Sequence, residues 1–228
     1  MSTLFVKCMR LSFLLAAVLL SGCSIFTPKP VVVDTQADVL GPIPAELQQS
    51  FGDALELLQD EEYESAEELL LEVTQKFPGF AGPWANLAIA QSKQEKYDAA
   101  LISIDSALQQ DENFCQAVSL KGVVLRELGQ FKQAKDQYLS ALSCNPNDIM
   151  TLYNIGVLSD LYLHDNVTAL SYYQKYLAAL GEQQDETVQS WVVDLKRRVP
   201  AESQQEPVQN IETAVDANSS APQLAGEE

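Results

Sequence analysis

The chain has 228 residues, which is enough for one medium domain with tails, and a hydrophobic content of 46% that can supply a core. Its 32 acidic residues stand against 14 basic ones, a formal net charge of −18. That balance argues against nucleic acid or an anionic lipid surface as a partner, because both require a basic patch.

The first residues read as an export signal rather than as structure. Lys7 and Arg10 precede an apolar run from Leu11 to Leu20 interrupted only by Ser12, and Ser21-Gly22 then lead to Cys23. This run is too short to span a bilayer, which takes about 20 apolar residues. Leu20-Ser21-Gly22-Cys23 resembles the bacterial lipobox. The resemblance implies a signal peptide over 1–22, cleavage before Cys23 and lipidation of that cysteine. Ser24 follows where an Asp would favour the inner membrane, so the resemblance implies the outer membrane, facing the periplasm. One acyl chain binds a membrane only marginally, whereas the several chains of such lipoproteins hold it stably.

Residues 23–42 carry Pro28, Pro30, Gly41 and Pro42 around a short Val31-Val32-Val33 run. They read as a tether, and a flexible chain of that length averages roughly 25 Å end to end. The Val run is read as linker in preference to a strand.

Helical spacing begins after Pro44, a residue suited to a first helical turn, with Leu47, Phe51, Ala54, Leu55 and Leu58. Asp60-Glu61-Glu62 interrupts it, Ala66, Leu69, Leu70 and Val73 resume it, and Phe77-Pro78-Gly79 ends it. The same pattern then recurs about every 34 residues. Ala54, Ala88, Gly122 and Gly156 mark it, as do Tyr63, Tyr97 and Phe131, and Ala66, Ala100 and Ala134. Ala169, Tyr173 and Tyr176 fall 35 rather than 34 beyond their counterparts, which predicts one extra residue in the turn near His164-Asp165-Asn166. A fixed period of this length marks a solenoid whose units bury their apolar faces only by stacking.

Trp84-Ala85-Asn86-Leu87-Ala88, followed by Tyr97, Ala100, Ile104 and Ala107, carries the most specific motif. With Asn145-Pro146 closing the third unit, the chain resembles the tetratricopeptide repeat proteins. The resemblance implies an all-α, right-handed solenoid of about four helical hairpins over 43–182. The recurring small residues and aromatics are then packing positions, small ones letting helices approach closely and aromatics filling the space between hairpins.

A further amphipathic helix follows within 183–199, with Val188, Trp191, Val192, Leu195 and Val199 on one face. It is assigned as the end cap of the solenoid, with Lys196-Arg197-Arg198 favourably placed at the negative end of its dipole. Residues 200–228 have no aromatic and no basic residue. Glu202, Glu206, Glu212, Asp216, Glu227 and Glu228 make them an acidic tail expected to be disordered.

Chemistry finds little support, and the chain is not expected to be an enzyme. The single histidine, His164, lies in the turn with the extra residue, without a nucleophile motif or a His/Cys cluster at ligand spacing. No metal, cofactor or small-molecule substrate is expected. The acidic residues of the first repeat, from Asp53 to Glu72, read as a solvated face. Of the four cysteines, Cys8 leaves with the signal and Cys23 carries lipid. Cys115 and Cys144 sit at adjoining ends of one hairpin and can pair or stay free, according to whether their Cα atoms come within about 7 Å.

In tetratricopeptide repeats the first helix of each hairpin lines a concave groove for a peptide. The resemblance therefore implies groove positions at Phe51, Leu55, Asn86, Ile89, Lys93, Leu120, Val123, Arg126, Tyr153, Asn154 and Val157. Asn86 and Asn154 stand where the family often places an amide for a ligand's backbone, and Leu120 leaves the family's carboxylate clamp incomplete. Signal and repeats together resemble lipoproteins that help type IV pilus secretins assemble. The function implied is an outer-membrane-anchored scaffold that binds an envelope protein as an adaptor of pilus or secretion type. An adaptor or regulator of a peptidoglycan hydrolase is the alternative.

Overall fold

The computed structural model describes residues 42–200. The segments expected as signal peptide, lipidated Cys23 and tether, up to residue 41, and the expected acidic tail from 201 onward lie outside them. Among the described residues there are nine α-helices and no strand. They are α1 (Ala45–Gln59), α2 (Tyr63–Lys76), α3 (Ala81–Lys93), α4 (Tyr97–Gln110) and α5 (Cys115–Glu127), then α6 (Phe131–Cys144), α7 (Ile149–Val157), α8 (Asn166–Leu180) and α9 (Glu186–Arg198). Consecutive helices pack as four hairpins, α1–α2 through α7–α8, and α9 lies against α8.

The small residues of the 34-residue period are the floor of each hairpin. Ala54, Ala66, Ala88, Ala100, Ala134 and Ala169 are fully buried. Their apolar neighbours form one core across the first two hairpins, with Leu58, Leu70, Leu87 and Ile104, and another across the last two and α9. A smaller cluster of Ala81, Ala85, Ala107, Phe114 and Ala117 lies between them. A polar seam crosses the first junction: the Gln94 amide donates to Glu67 (2.7 Å) and Ser103 donates to Gln91 (2.7 Å). Burial alone would raise Glu67, yet hydrogen bonds from Lys96, Gln94 and Gln91 and the Lys96 charge hold its carboxyl below the usual range.

The turns inside the hairpins share one device. In the first three, the N–H three residues past the end of the helix returns to a carbonyl five residues earlier: Glu62 to Leu57, Lys96 to Gln91 and Gln130 to Leu125. This is the bond of a Schellman ending, which needs a left-handed residue just before it. Glu61 (φ 61°), Glu95 (φ 60°), Gly129 (φ 73°) and His164 (φ 53°) occupy that place in turn. Only one of the four is glycine, the residue without a steric cost there. Glu95→Gly is therefore expected to raise stability by about 0.5–1 kcal/mol, and Gly129→Ala to lower it by about as much. Urea unfolding followed by circular dichroism checks both signs. A Gly129→Ala midpoint equal to wild type would contradict a left-handed cost, because no atom near Gly129 offers a steric alternative.

The fourth hairpin departs from the others inside its first helix, upstream of the turn expected from spacing. Leu158–Tyr162 continues α7 as a π-helical turn, with the Leu163 N–H bonded to the Leu158 carbonyl at 3.0 Å. The Schellman-like return widens by one residue, from Asp165 to Ser159 at 2.8 Å. The extra residue is absorbed by widening the helix, because a π turn accommodates one residue while keeping backbone groups bonded. His164 is consequently the left-handed residue of that turn, a role for which histidine is enriched.

The last three helices also begin differently. Asp148, Asp165 and Asp185 accept the N–H of Thr151 (2.8 Å), Thr168 (3.0 Å) and Val188 (3.0 Å), as side-chain N-caps. Helix α9 buries Val188, Val192 and Leu195 against α8, with Val199 just beyond it, and Trp191 joins a ring cluster with Tyr153 and Tyr173. Its other face carries Glu186, Gln189, Asp194, Lys196 and Arg197, which are exposed or nearly so. Val193 is also exposed, at 51%.

Candidate functional site: the first-helix face

The positions assigned to a groove divide into two sets. Phe51, Leu55, Lys93, Val123, Tyr153 and Val157 are half-buried and keep surface on the first helices. Asn86, Ile89, Leu120, Arg126 and Asn154 are buried, and this corrects their expected role as groove-facing groups. The reason lies in how the hairpins stack. First helices touch one another directly, α1 with α3 and α3 with α5, so the edge of each helix stripe enters the seam between neighbours.

Asn86 is the clearest case, with 0% exposure. Its amide donates to the Gly82 carbonyl at 2.9 Å within α3, so that donor is already engaged inside the protein. Asn154 lies in the seam between α5 and α7. Its side-chain oxygen accepts from Arg126 Nη1 at 3.3 Å, tying the two helices together, while Arg126 Nε and Nη2 donate to Glu127 (3.3 and 2.8 Å). Burial opposes the charge of Arg126, but the neighbouring Tyr138, Glu127 and Tyr162 favour it, so the guanidinium stays protonated. Its charge is answered within the protein. Leu120 is a core residue.

Lys93 is the half-buried cation of the set, its Nζ 6.0 Å from the Tyr63 ring centroid. Desolvation lowers its pKa, partly offset by Glu61. Tyr153 packs against Tyr176 (5.4 Å between centroids), Trp191 (6.3 Å) and Tyr173 (6.4 Å), so it couples the last first helix to the capping helix. The surface left for a partner is therefore mainly apolar, from Phe51 and Leu55 through Val123 to Tyr153 and Val157. Lys93 adds a positive charge to it.

Cys115 and Cys144 are joined as a disulfide with a Cα–Cα distance of 5.7 Å. The bridge closes the open end of the α5–α6 hairpin. Among the described residues, no three His, Cys, Asp or Glu side chains converge to hold a metal, and no helix is long and apolar enough to cross a membrane.

Two features were not foreseen from sequence. Tyr138 and Ser159 bury hydroxyls that have no hydrogen-bond partner, and burial pushes the Tyr138 phenol well up. At the edge of the fourth hairpin, Leu161 (61% exposed), Tyr162 (41%) and Val167 (44%) present apolar side chains to solvent, and the Tyr162 ring lies 4.9 Å from Phe131. The available signal was the run Leu161-Tyr162-Leu163 directly beside the extra residue.

No protein-family model matches the chain, and no curated protein matches it by sequence. Solved structures do match its fold. Pseudomonas aeruginosa pilF aligns with a TM-score of 0.60 at 21% identity, over 67% of this chain and 68% of that one. MamA residues 41-end from Desulfovibrio magneticus RS-1 aligns with a TM-score of 0.57 at 16% identity, over 78% and 100% of the two chains. YrrB, described as a TPR protein with an unusual peptide-binding site, aligns with a TM-score of 0.52 at 18% identity, over 66% and 74%. The chain thus folds as a solenoid of helical hairpins like those of tetratricopeptide-repeat proteins.

Proposed function

We propose that this protein is an outer-membrane lipoprotein, attached through Cys23 and facing the periplasm. Its solenoid binds a segment of another envelope protein as an adaptor in assembly of a pilus or secretion complex. The observation that carries the binding role is the half-buried apolar face of Phe51, Leu55, Val123, Tyr153 and Val157, on the first helices of three of the hairpins. A partner segment in helical or extended form would bury that face. The Cys115–Cys144 bridge supports an oxidising compartment, where such bonds persist. The resemblance of signal and repeats to pilus-assembly lipoproteins, together with the fold shared with pilF, supports the pilus branch.

The test places a photo-crosslinking side chain at Val157, and separately at the exposed Ile102 on a second helix, in the full chain in native membranes. Covalent capture of a defined partner from Val157 and not from Ile102 is expected. Equal capture from both positions would move the binding surface off the first helices. Replacement of Cys23 by alanine should release the protein from the membrane fraction; a variant that remains bound would remove the anchor.

A further inference from the structure

The apolar edge of the fourth hairpin lies where its first helix ends. It is formed by the π turn and the start of α8, where Leu161, Tyr162 and Val167 stand exposed, with the Tyr162 ring against Phe131. The capping helix delivers the chain to this same edge. Arg198, the last residue of α9, donates from Nη1 to Asn166 at 3.5 Å, and its Nη2 lies 3.8 Å from Asp160. The polypeptide therefore leaves the solenoid beside the patch, just after three basic residues, Lys196, Arg197 and Arg198.

The sequence beyond α9 has complementary chemistry. Residues 201–228 carry six acidic side chains and no basic one. Within them, Glu206-Pro207-Val208-Gln209-Asn210-Ile211-Glu212-Thr213-Ala214-Val215-Asp216 places Val208, Ile211 and Val215 at intervals of three and four. That spacing matches a helical period, with Pro207 at a position that suits a first turn and acids between and beside the three. From residue 200 to 208 the chain reaches at most about 27 Å, so the segment is never far from the patch. A short connection of this kind holds it at an effective concentration on the order of millimolar, at which a modest apolar contact is occupied.

We propose that residues 206–216 dock in cis on the edge formed by Leu161, Tyr162 and Val167, with their acids facing the basic end of α9. Val208, Ile211 and Val215 supply the apolar contact. The contact covers apolar side chains that the solenoid otherwise leaves exposed.

Hydrogen exchange read by mass spectrometry on the full chain tests this. In wild type, amides of 158–167 are expected to exchange about fivefold more slowly than in a full-length variant carrying Val208→Asp, Ile211→Asp and Val215→Asp. Helices α1 to α4 should exchange equally in both proteins and serve as the reference. The protection should persist unchanged over a hundredfold dilution. Identical exchange at 158–167 in the two proteins would overturn the proposal. Protection that disappears on dilution would also overturn it, by assigning the patch to a second copy of the chain. Neither result bears on the first-helix face, whose test is independent.

Discussion

Gly122→Ala is expected to destabilise the protein by about 2 kcal/mol, although the same change in an ordinary helix stabilises it. Glycine costs a helix interior about 0.5–1 kcal/mol relative to alanine, so propensity alone predicts a gain. A methyl at Gly122, however, would lie 2.6 Å from two ring carbons of Tyr138, and one at Gly156 would lie 2.6 Å from the same carbons of Tyr173. Both rings are buried, so neither can swing aside without opening the hairpin, and overpacking of this kind costs about 1–3 kcal/mol. The steric term therefore wins.

The chain contains its own control. In the first two hairpins the small residue is alanine and its opposite number is aliphatic, Ala54 with Leu70 and Ala88 with Ile104. In the last two it is glycine opposite tyrosine. Gly122→Ala combined with Tyr138→Ile should consequently recover most of the lost stability, a non-additive result. The removed phenol has no hydrogen-bond partner to lose. Thermal unfolding should show a fall of roughly 4–8 °C for the single variant and near-recovery for the pair. A neutral single variant, or a pair that is merely the sum of its parts, would refute steric packing as the cause.

The same pairing shows what the sequence made legible and where it stopped. Helical periodicity and the 34-residue repeat identify side chains that face the partner helix of a hairpin, because those positions are dictated by helix geometry alone. Ala66, Ala100 and Ala134 were identifiable in this way, as was the inward face of α9 at Val188, Val192 and Leu195. Asn86, Leu120 and Asn154 were not, because they sit at the edge of the stripe. Whether an edge residue lies in a groove or in a seam depends on how closely consecutive first helices approach. That spacing is set by side chains far away in sequence. The extra residue of the fourth hairpin was countable from spacing, but its location was not, since a widened turn and a π turn add the same number of residues. The left-handed positions were equally hidden, because Glu61 and Glu95 lack the glycine that would have announced them.

Removing the Cys115–Cys144 bridge with paired serine substitutions is expected to cost about 3 kcal/mol. The bonded residues are 29 apart in sequence, and closing a loop of that order restricts the unfolded chain by about this amount. Their Cα separation of 5.7 Å is in the usual range for a disulfide, so the folded hairpin needs no rearrangement to hold the bond. The resulting fall in melting temperature should be roughly 6–12 °C. Because each hairpin of a solenoid touches mainly its neighbours, the loss should be local, with faster amide exchange in α5 and α6 and little change in α1 and α2. Cys144 is exposed and Cys115 half-buried, so a thiol reductant can reach the bond in the folded protein. Dithiothreitol should then lower the melting temperature of wild type to that of the double-serine variant and leave the variant unchanged. A wild type indifferent to reductant, or a variant as stable as wild type, would show that the bridge contributes nothing to the hairpin. Since the bond is stabilising only where it can form, the protein should be most stable in an oxidising compartment, which links this measurement to the proposed location.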